Sequence, residues 1–177
     1  MRTAFIDSSC LYRTANPAYN RLAVYQRRLL KTSPLTLKVR RLRPGAKLPQ
    51  RATPGSTGLD LFACIEGTGS IELGRDPVLV PTGIAIEVPP GYDAQVRPRS
   101  GLSAKGVGVT FGTIDSDYRG EVLVTMHLFG ALDSHTIRHG DRIAQLVISR
   151  WVDLPVVEVE NLTETERGPG GHGSTGL

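Results

Sequence analysis

Between residues 34 and 160 the chain alternates apolar and polar positions with a period near two, in short runs cut by glycine and proline. That period puts successive side chains on opposite faces of a strand. L-T-L-K-V-R-R-L (35–42) predicts a first strand, broken by Pro44, Gly45 and Pro49. A polar glycine-rich turn then runs into the apolar strand L-D-L-F-A (59–63). Short strands are expected at 70–73, 78–80 and 83–88, followed by a hard turn at Pro89-Pro90-Gly91 and a strand at 92–96. V-G-V-T-F (107–111) and E-V-L-V-T-M-H-L-F (121–129) read as two more. A-L-D-S-H-T (131–136) predicts a solvated polar loop. G-D-R-I-A-Q-L-V-I (140–148) is a turn leading into a buried strand, and residues 151–160 predict a last strand interrupted by Pro155. Many short strands joined by turns make the body all-β.

Residues 1–33 do not share this alternation; Leu22, Val24, Tyr25 and Leu29 stand near helical spacing instead. The chain has 177 residues, enough for one domain with a tail. Its apolar content of 40% suits a soluble globular protein. No apolar run reaches the ~20 residues of a membrane span. The two cysteines, Cys10 and Cys64, fit a reducing compartment and no structural disulfide. Charge divides the chain. Residues 1–51 hold 12 Lys/Arg against one acid, or +11, and the remainder holds 9 against 16, or −7. An acidic body that binds a polyanion needs placed arginines and a cation rather than a general basic field. For residues 1–33 three readings stand: a basic extension, disordered or weakly helical; an organelle-targeting peptide; or sequence upstream of the functional start. Nucleic-acid binding is not expected, because interleaved aromatics are sparse.

Candidate chemistry lies in a few stretches. G-T-I-D-S-D-Y-R-G (112–120) joins two strands. At strand period Asp115 and Asp117 face one side, and Ile114, Ser116 and Tyr118 the other. A carboxylate beside a tyrosine at a strand end can serve as a positioned base; a charged hairpin turn is the alternative. In R-P-R-S-G (97–101) Pro98 stops the strand, and Arg99, Ser100 and Gly101 offer a guanidinium fork, a hydroxyl and a backbone N–H suited to phosphate oxygens. Asp60, inside an apolar strand, must face solvent, pair with an arginine or hold a metal-bound water. Gln145, in another apolar strand, needs a partner. His135 and His139 have a zinc spacing, but Gly140 and the lack of a third ligand favour a loop. From Arg167 the chain is glycine-rich and carries His172, Ser174 and Thr175. It reads as a tail, or as an arm that orders on a phosphate chain.

Taken in order, G-S-T-G-L-D-L-F-A, P-R-S-G-L, G-T-I-D-S-D-Y-R-G-E, G-D-R-I-A-Q-L and R-G-P-G-G-H-G-S-T-G resemble the five motifs of the trimeric dUTP diphosphatases (dUTPases). The resemblance covers about residues 35–177. It implies an all-β jelly-roll subunit of the dUTPase-like β-clip kind, in a homotrimer with active sites between subunits. The implied domains are a basic extension (1–33), a β-barrel domain (34–166) and a flexible glycine-rich arm (167–177) that closes over the site. The implied reaction is dUTP plus water to dUMP and pyrophosphate, by attack at the α-phosphorus.

By the same resemblance, Asp115 orients and deprotonates the water. Tyr118 packs on the deoxyribose and excludes a 2′-hydroxyl. Arg99, Ser100 and Gly101 cradle the α- and β-phosphates, with Gln145 as a further donor. Arg167, Gly173, Ser174 and Thr175 bind the γ-phosphate from the arm, and His172 covers the uracil. Asp60 stands behind Arg99 or holds a metal-bound water. Mg²⁺ is implied on the triphosphate, with few or no direct protein ligands. The implied location is cytoplasmic, with organelle targeting by residues 1–33 left open, and no membrane association. Two features depart from the family pattern. His172 replaces the usual phenylalanine, and the stretch before Asp115 is short and lacks the usual asparagine. Uracil is then read by backbone groups of about residues 107–112, Gly112 among them. Two rivals share the fold. A dCTP deaminase carries a glutamate where this chain has Thr125, and a non-catalytic binding module lacks the acid, the tyrosine or the arm.

Overall fold

The computed structural model describes residues 35–67 and 69–170. Ten strands and one helical turn make up the body: β1 (Lys38–Arg41), β2 (Leu59–Phe62), β3 (Ser70–Leu73), β4 (Val78–Glu87), β5 (Tyr92–Arg97), α1 (Ser100–Ser103), β6 (Val107–Val109), β7 (Gly112–Ile114), β8 (Glu121–Leu128), β9 (His135–Arg138) and β10 (Arg142–Arg150). They form two four-stranded sheets, in the orders β1-β4-β8-β6 and β2-β10-β5-β7, with a β3-β9 ribbon beside them. All pairings are antiparallel. The fold is an all-β jelly roll.

Alternation decides which residues fill the space between the sheets. In β8 every second residue, Val122, Val124, Met126 and Leu128, is buried, and in β5 Ala94 and Val96 are. Ile143, Ala144, Leu146 and Val147 of β10 join them, with Val80, Ile84 and Ile86 of β4. Fully burying a side chain of this size contributes about 1.5–3 kcal/mol. Such a core is what holds the loops of the site.

Four expectations need correction. The runs 78–80 and 83–88 are one strand, β4, continuous through a register shift between Pro81 and Ala85 against β8. Gly83 makes this continuity feasible: its φ is +68°, and a Cβ there would meet Cys64 Sγ at 2.7 Å and Ala46 Cβ at 2.9 Å. The 131–136 stretch is not all loop, because His135 and Thr136 begin β9, which pairs with β3. Residues 151–160 form no strand; they run exposed past β10, whose two neighbours are already β2 and β5. The strand at 112 ends at Ile114, and a turn follows, so the two-sided strand reading of 114–118 does not hold. No helix among the described residues is long and apolar enough to cross a membrane.

Candidate active site

β5 stops at Arg97, where Pro98 removes the next ladder donor, and the chain turns into α1. The N–H groups of Leu102 and Ser103 bond back to Arg99 O, each at 3.0 Å, and Ala104 N–H to Ser100 O at 2.9 Å. The N–H groups of Ser100 and Gly101 precede these bonds and have no partner within the turn. Gly101 is exposed, and a Cβ on it would meet nothing within 4 Å, so the approach to this backbone is clear.

Arg99 folds back onto β2. Its Nε donates to Asp60 Oδ1 at 3.0 Å, and its Nη1 donates to the Arg142 carbonyl at 2.9 Å. Arg142 Nη1 donates to the other Asp60 oxygen at 3.3 Å. The Asp60 side chain is 13% exposed, so both oxygens need charged partners, and both have one. Gln145 stands opposite Asp60 in the β10–β2 register, and its Nε2 donates to Pro98 O at 2.9 Å. Asp60, Arg99 and Gln145 thus form one polar cluster around the β5–α1 turn. Arg142 belongs to it and was not singled out from the sequence. The signal was the need of Asp60 for a second cation, answered by a basic residue three before Gln145.

The second group lies at the other edge of the same sheet. β7 delivers the chain to Asp115, and Tyr118 N–H bonds to Asp115 O at 3.2 Å to close the turn. Asp115 is exposed, with no ion-pair partner among the described residues. Arg119 braces the turn from within, donating from Nη1 to the carbonyls of Ser116 at 2.7 Å and Tyr118 at 2.8 Å. Tyr118 donates its hydroxyl to Glu121 O at 3.1 Å and stays 45% exposed. Gly112 pairs with Val96, and the ring of Phe111 beside it has the Arg97 guanidinium 5.7 Å from its centroid. No hydrogen bond or ion pair joins the Asp115 group to the Asp60 cluster among the described residues.

Arg167 sits in an exposed turn and donates from Nε to Gly170 O at 2.8 Å. His172, Gly173, Ser174 and Thr175 lie outside the described residues, as does the whole of 1–33. His139 does not approach a metal cluster; its Nδ1 lies 3.0 Å from Ile65 O. Among the described residues no group of three or more His, Cys, Asp or Glu side chains is arranged to hold a metal ion.

These features define a class: a jelly-roll protein with an arginine–carboxylate cluster at one sheet edge and an exposed carboxylate–tyrosine turn at the other. Residues 45–176 match the dUTPase family model. The deoxyuridine 5'-triphosphate nucleotidohydrolase of Neorickettsia sennetsu is 49% identical over 134 residues, covering 73% of this chain and 88% of that protein. That of Methylocella silvestris is 47% identical over 152 residues, covering 82% of this chain and 94% of its own. Among solved structures, the dUTPase of Staphylococcus bacteriophage 80alpha with dUPNHPP is 28% identical, with a TM-score of 0.72, covering 80% of this chain and 99% of that one. A mutant dUTPase from phage phi11 of S. aureus, whose structure reveals the coordination of a structural Mg(II) ion, is 25% identical with a TM-score of 0.63, covering 71% of this chain and 97% of that one. The chain belongs to the dUTPase family.

Proposed function

We propose that the chain hydrolyses dUTP to dUMP and pyrophosphate, giving dUMP for thymidylate synthesis and keeping uracil out of DNA. The observation that carries this reading is the family match over residues 45–176, in a chain whose turn at Asp115 presents an exposed carboxylate beside Tyr118.

Asp115 holds a water by hydrogen bond and takes its proton as the water attacks the α-phosphorus, in line with the leaving pyrophosphate. An exposed carboxylate without a cation partner suits that role. Tyr118 packs on the deoxyribose, and the backbone around Gly112 reads the uracil. Arg99, Ser100 and Gly101 take the α- and β-phosphate oxygens, and Gln145 adds a donor. Asp60 orients Arg99 from behind, which the 3.0 Å ion pair supports. Arg167, Gly173, Ser174 and Thr175 reach the γ-phosphate, and His172 covers the base. Mg²⁺ would be carried on the triphosphate. The donor set fits an ion with few or no direct protein ligands: both Asp60 oxygens are engaged by arginines, and no group of three or more ligating side chains stands among the described residues. When bound, the ion neutralises charge that develops on the phosphate oxygens.

The assembly is a homotrimer with its sites between subunits. Two observations support this. The cradle and the base leave the paired β5 and β7 at opposite ends, Arg99 beyond the Val96–Gly112 pair and Asp115 beyond the Ala94–Ile114 pair, so one protomer holds them apart along the strands. Beyond β10 the chain exposes Val152, Leu154, Val156, Val157, Val159 and Leu162, an apolar run that another copy would cover. Residues 34–166 form the β-barrel domain, 167–177 the arm, and 1–33 a basic extension. A cytoplasmic location follows from the substrate, unless residues 1–33 address an organelle.

Incubation with Mg²⁺ and either dUTP or dCTP tests the reading. Pyrophosphate from dUTP is expected. Ammonia from dCTP would make the chain a deaminase, and no turnover of either would make it a binding module.

A further inference from the structure

The Tyr118 hydroxyl ties its turn to Glu121, which none of the dUTPase motif roles above uses. Glu121 is the first residue of β8, and the register shift of β4 lies directly across from it: Pro81 pairs with Leu123 and Ala85 with Glu121. Thr82, Gly83 and Ile84 therefore face a single residue, Val122, and cannot all use the ladder. Side chains satisfy what is left. Thr82 Oγ1 donates to Val122 O at 2.5 Å, and Gly83 N–H donates to Glu121 Oε1 at 2.7 Å. The other oxygen, Oε2, accepts from Arg43 Nη2 at 2.5 Å, and Arg43 Nη1 reaches Cys64 O at 3.5 Å. The Arg43 and Glu121 side chains are 27% and 18% exposed, so the pair is largely shielded from water. Burial pushes the neighbouring Cys64 thiol up, which keeps it a neutral packing group there.

The backbone of Glu121 faces the other way, toward the turn. Its carbonyl accepts the Tyr118 hydroxyl at 3.1 Å. The phenol lies so close over Gly120 that a Cβ there would meet its Cζ at 2.5 Å and its Cε2 at 3.0 Å. The ring is thus laid back across Gly120, hooked at its hydroxyl, with 45% of the residue still open to a ligand. Where the ring stands depends on where the Glu121 carbonyl stands. That position is held by the β8–β4 pairing of Glu121 with Ala85 and by the carboxylate of the same residue, clamped between a guanidinium and a backbone N–H.

We propose that Glu121, held by Arg43 and Gly83, is a positioning residue for Tyr118, and that through Tyr118 it sets discrimination between 2′-deoxy and 2′-hydroxy nucleotides. This rests on the sugar-packing role of Tyr118 given above. Without the clamp, the carbonyl and the ring shift together, and room opens at the sugar C2′. Arg119 braces the turn independently of Glu121 through the Ser116 and Tyr118 carbonyls, and Tyr118 N–H holds the Asp115 carbonyl, so the proton transfer is expected to be untouched.

The test uses the full chain with Mg²⁺ and compares dUTP with UTP. Glu121→Gln keeps an acceptor for Gly83 N–H and removes the charge that pairs with Arg43. Its preference for dUTP over UTP should fall by about tenfold to a hundredfold, the scale on which a displaced positioning group costs selectivity. The change should appear in KM, with kcat for dUTP held within about threefold and the pH profile unmoved. Tyr118→Phe, which removes only the hydroxyl hook, should lower the preference in the same way. The double variant should be no worse than the poorer single one, because both cut the same link. Unchanged preference in Glu121→Gln, or losses that add in full, overturns the proposal, and Tyr118→Phe decides it if the glutamine variant does not fold. Tyr118→Ala separates the two layers: if it keeps the dUTP preference, the sugar role of Tyr118 itself is wrong.

Discussion

The two edges of the second sheet hold their carboxylates in opposite ways. At the β2 edge Asp60 is 13% exposed and each of its oxygens has an arginine. At the β7 edge Asp115 is exposed and has none among the described residues. A shielded carboxylate without counter-charge is costly, so Asp60 is locked into structure, with both oxygens committed to arginines. A solvated one bears no such cost and keeps its lone pairs for a water. In the proposed reaction this contrast divides holding the phosphates from activating the nucleophile.

The largest effect should come from the free carboxylate. Asp115→Asn is expected to lower kcat by about a hundredfold to ten-thousandfold, the contribution of a positioned base, while dUTP binding stays close to that of the unsubstituted chain. Steady-state kinetics beside equilibrium titration reads both, and turnover within about tenfold of normal would remove Asp115 from the role. Deleting residues 167–177 attacks neither edge. It should leave a folded trimer of unchanged thermal stability with very low activity, because described residues 167–169 are exposed and contribute nothing to the core. A large fall in melting temperature would contradict this. Arg99→Ala sharpens the contrast from the other side. It removes a charged hydrogen bond worth about 1.5–3 kcal/mol and leaves Asp60 with Arg142 alone, so KM should rise by roughly tenfold to a hundredfold. Stability should drop with it, unlike in Asp115→Asn, and equal melting temperatures for the two variants would erase the distinction. The smallest expected effect is at His172. His172→Ala should weaken dUTP binding by about 1–3 kcal/mol, the scale of base stacking, and His172→Phe should preserve it. An inactive phenylalanine variant would replace stacking with an acid role.

How much of this was legible in the sequence follows from what alternation reports. β5 and β8 were readable because each buries every second residue on one face, and β10 because its apolar run is buried on both faces. β9 was not, since only Ile137 of its four residues is buried and its polar partners resemble a loop. Residues 151–160 show the converse. Val152, Leu154 and Val156 carry the strand pattern, but a pattern names a face and not the edge it will join, and no edge of this protomer receives them. α1 escaped notice because four residues are too few for a helical period. At the site, the residues were legible and their pairing was not. That Asp60 meets both Arg99 and Arg142 depends on the β2–β10 register and the turn after β5, which place distant segments together. The same holds for Glu121, whose partner Arg43 comes from a linker outside any strand.

The account centres on water attacking the α-phosphorus of dUTP, and turnover in water enriched in heavy oxygen tests it most directly. Mass spectrometry of the products should find one heavy oxygen in the phosphate of dUMP and none in pyrophosphate, with the same labelled dUMP formed far more slowly in Asp115→Asn. Heavy oxygen in the pyrophosphate, or products other than dUMP and pyrophosphate, would contradict it.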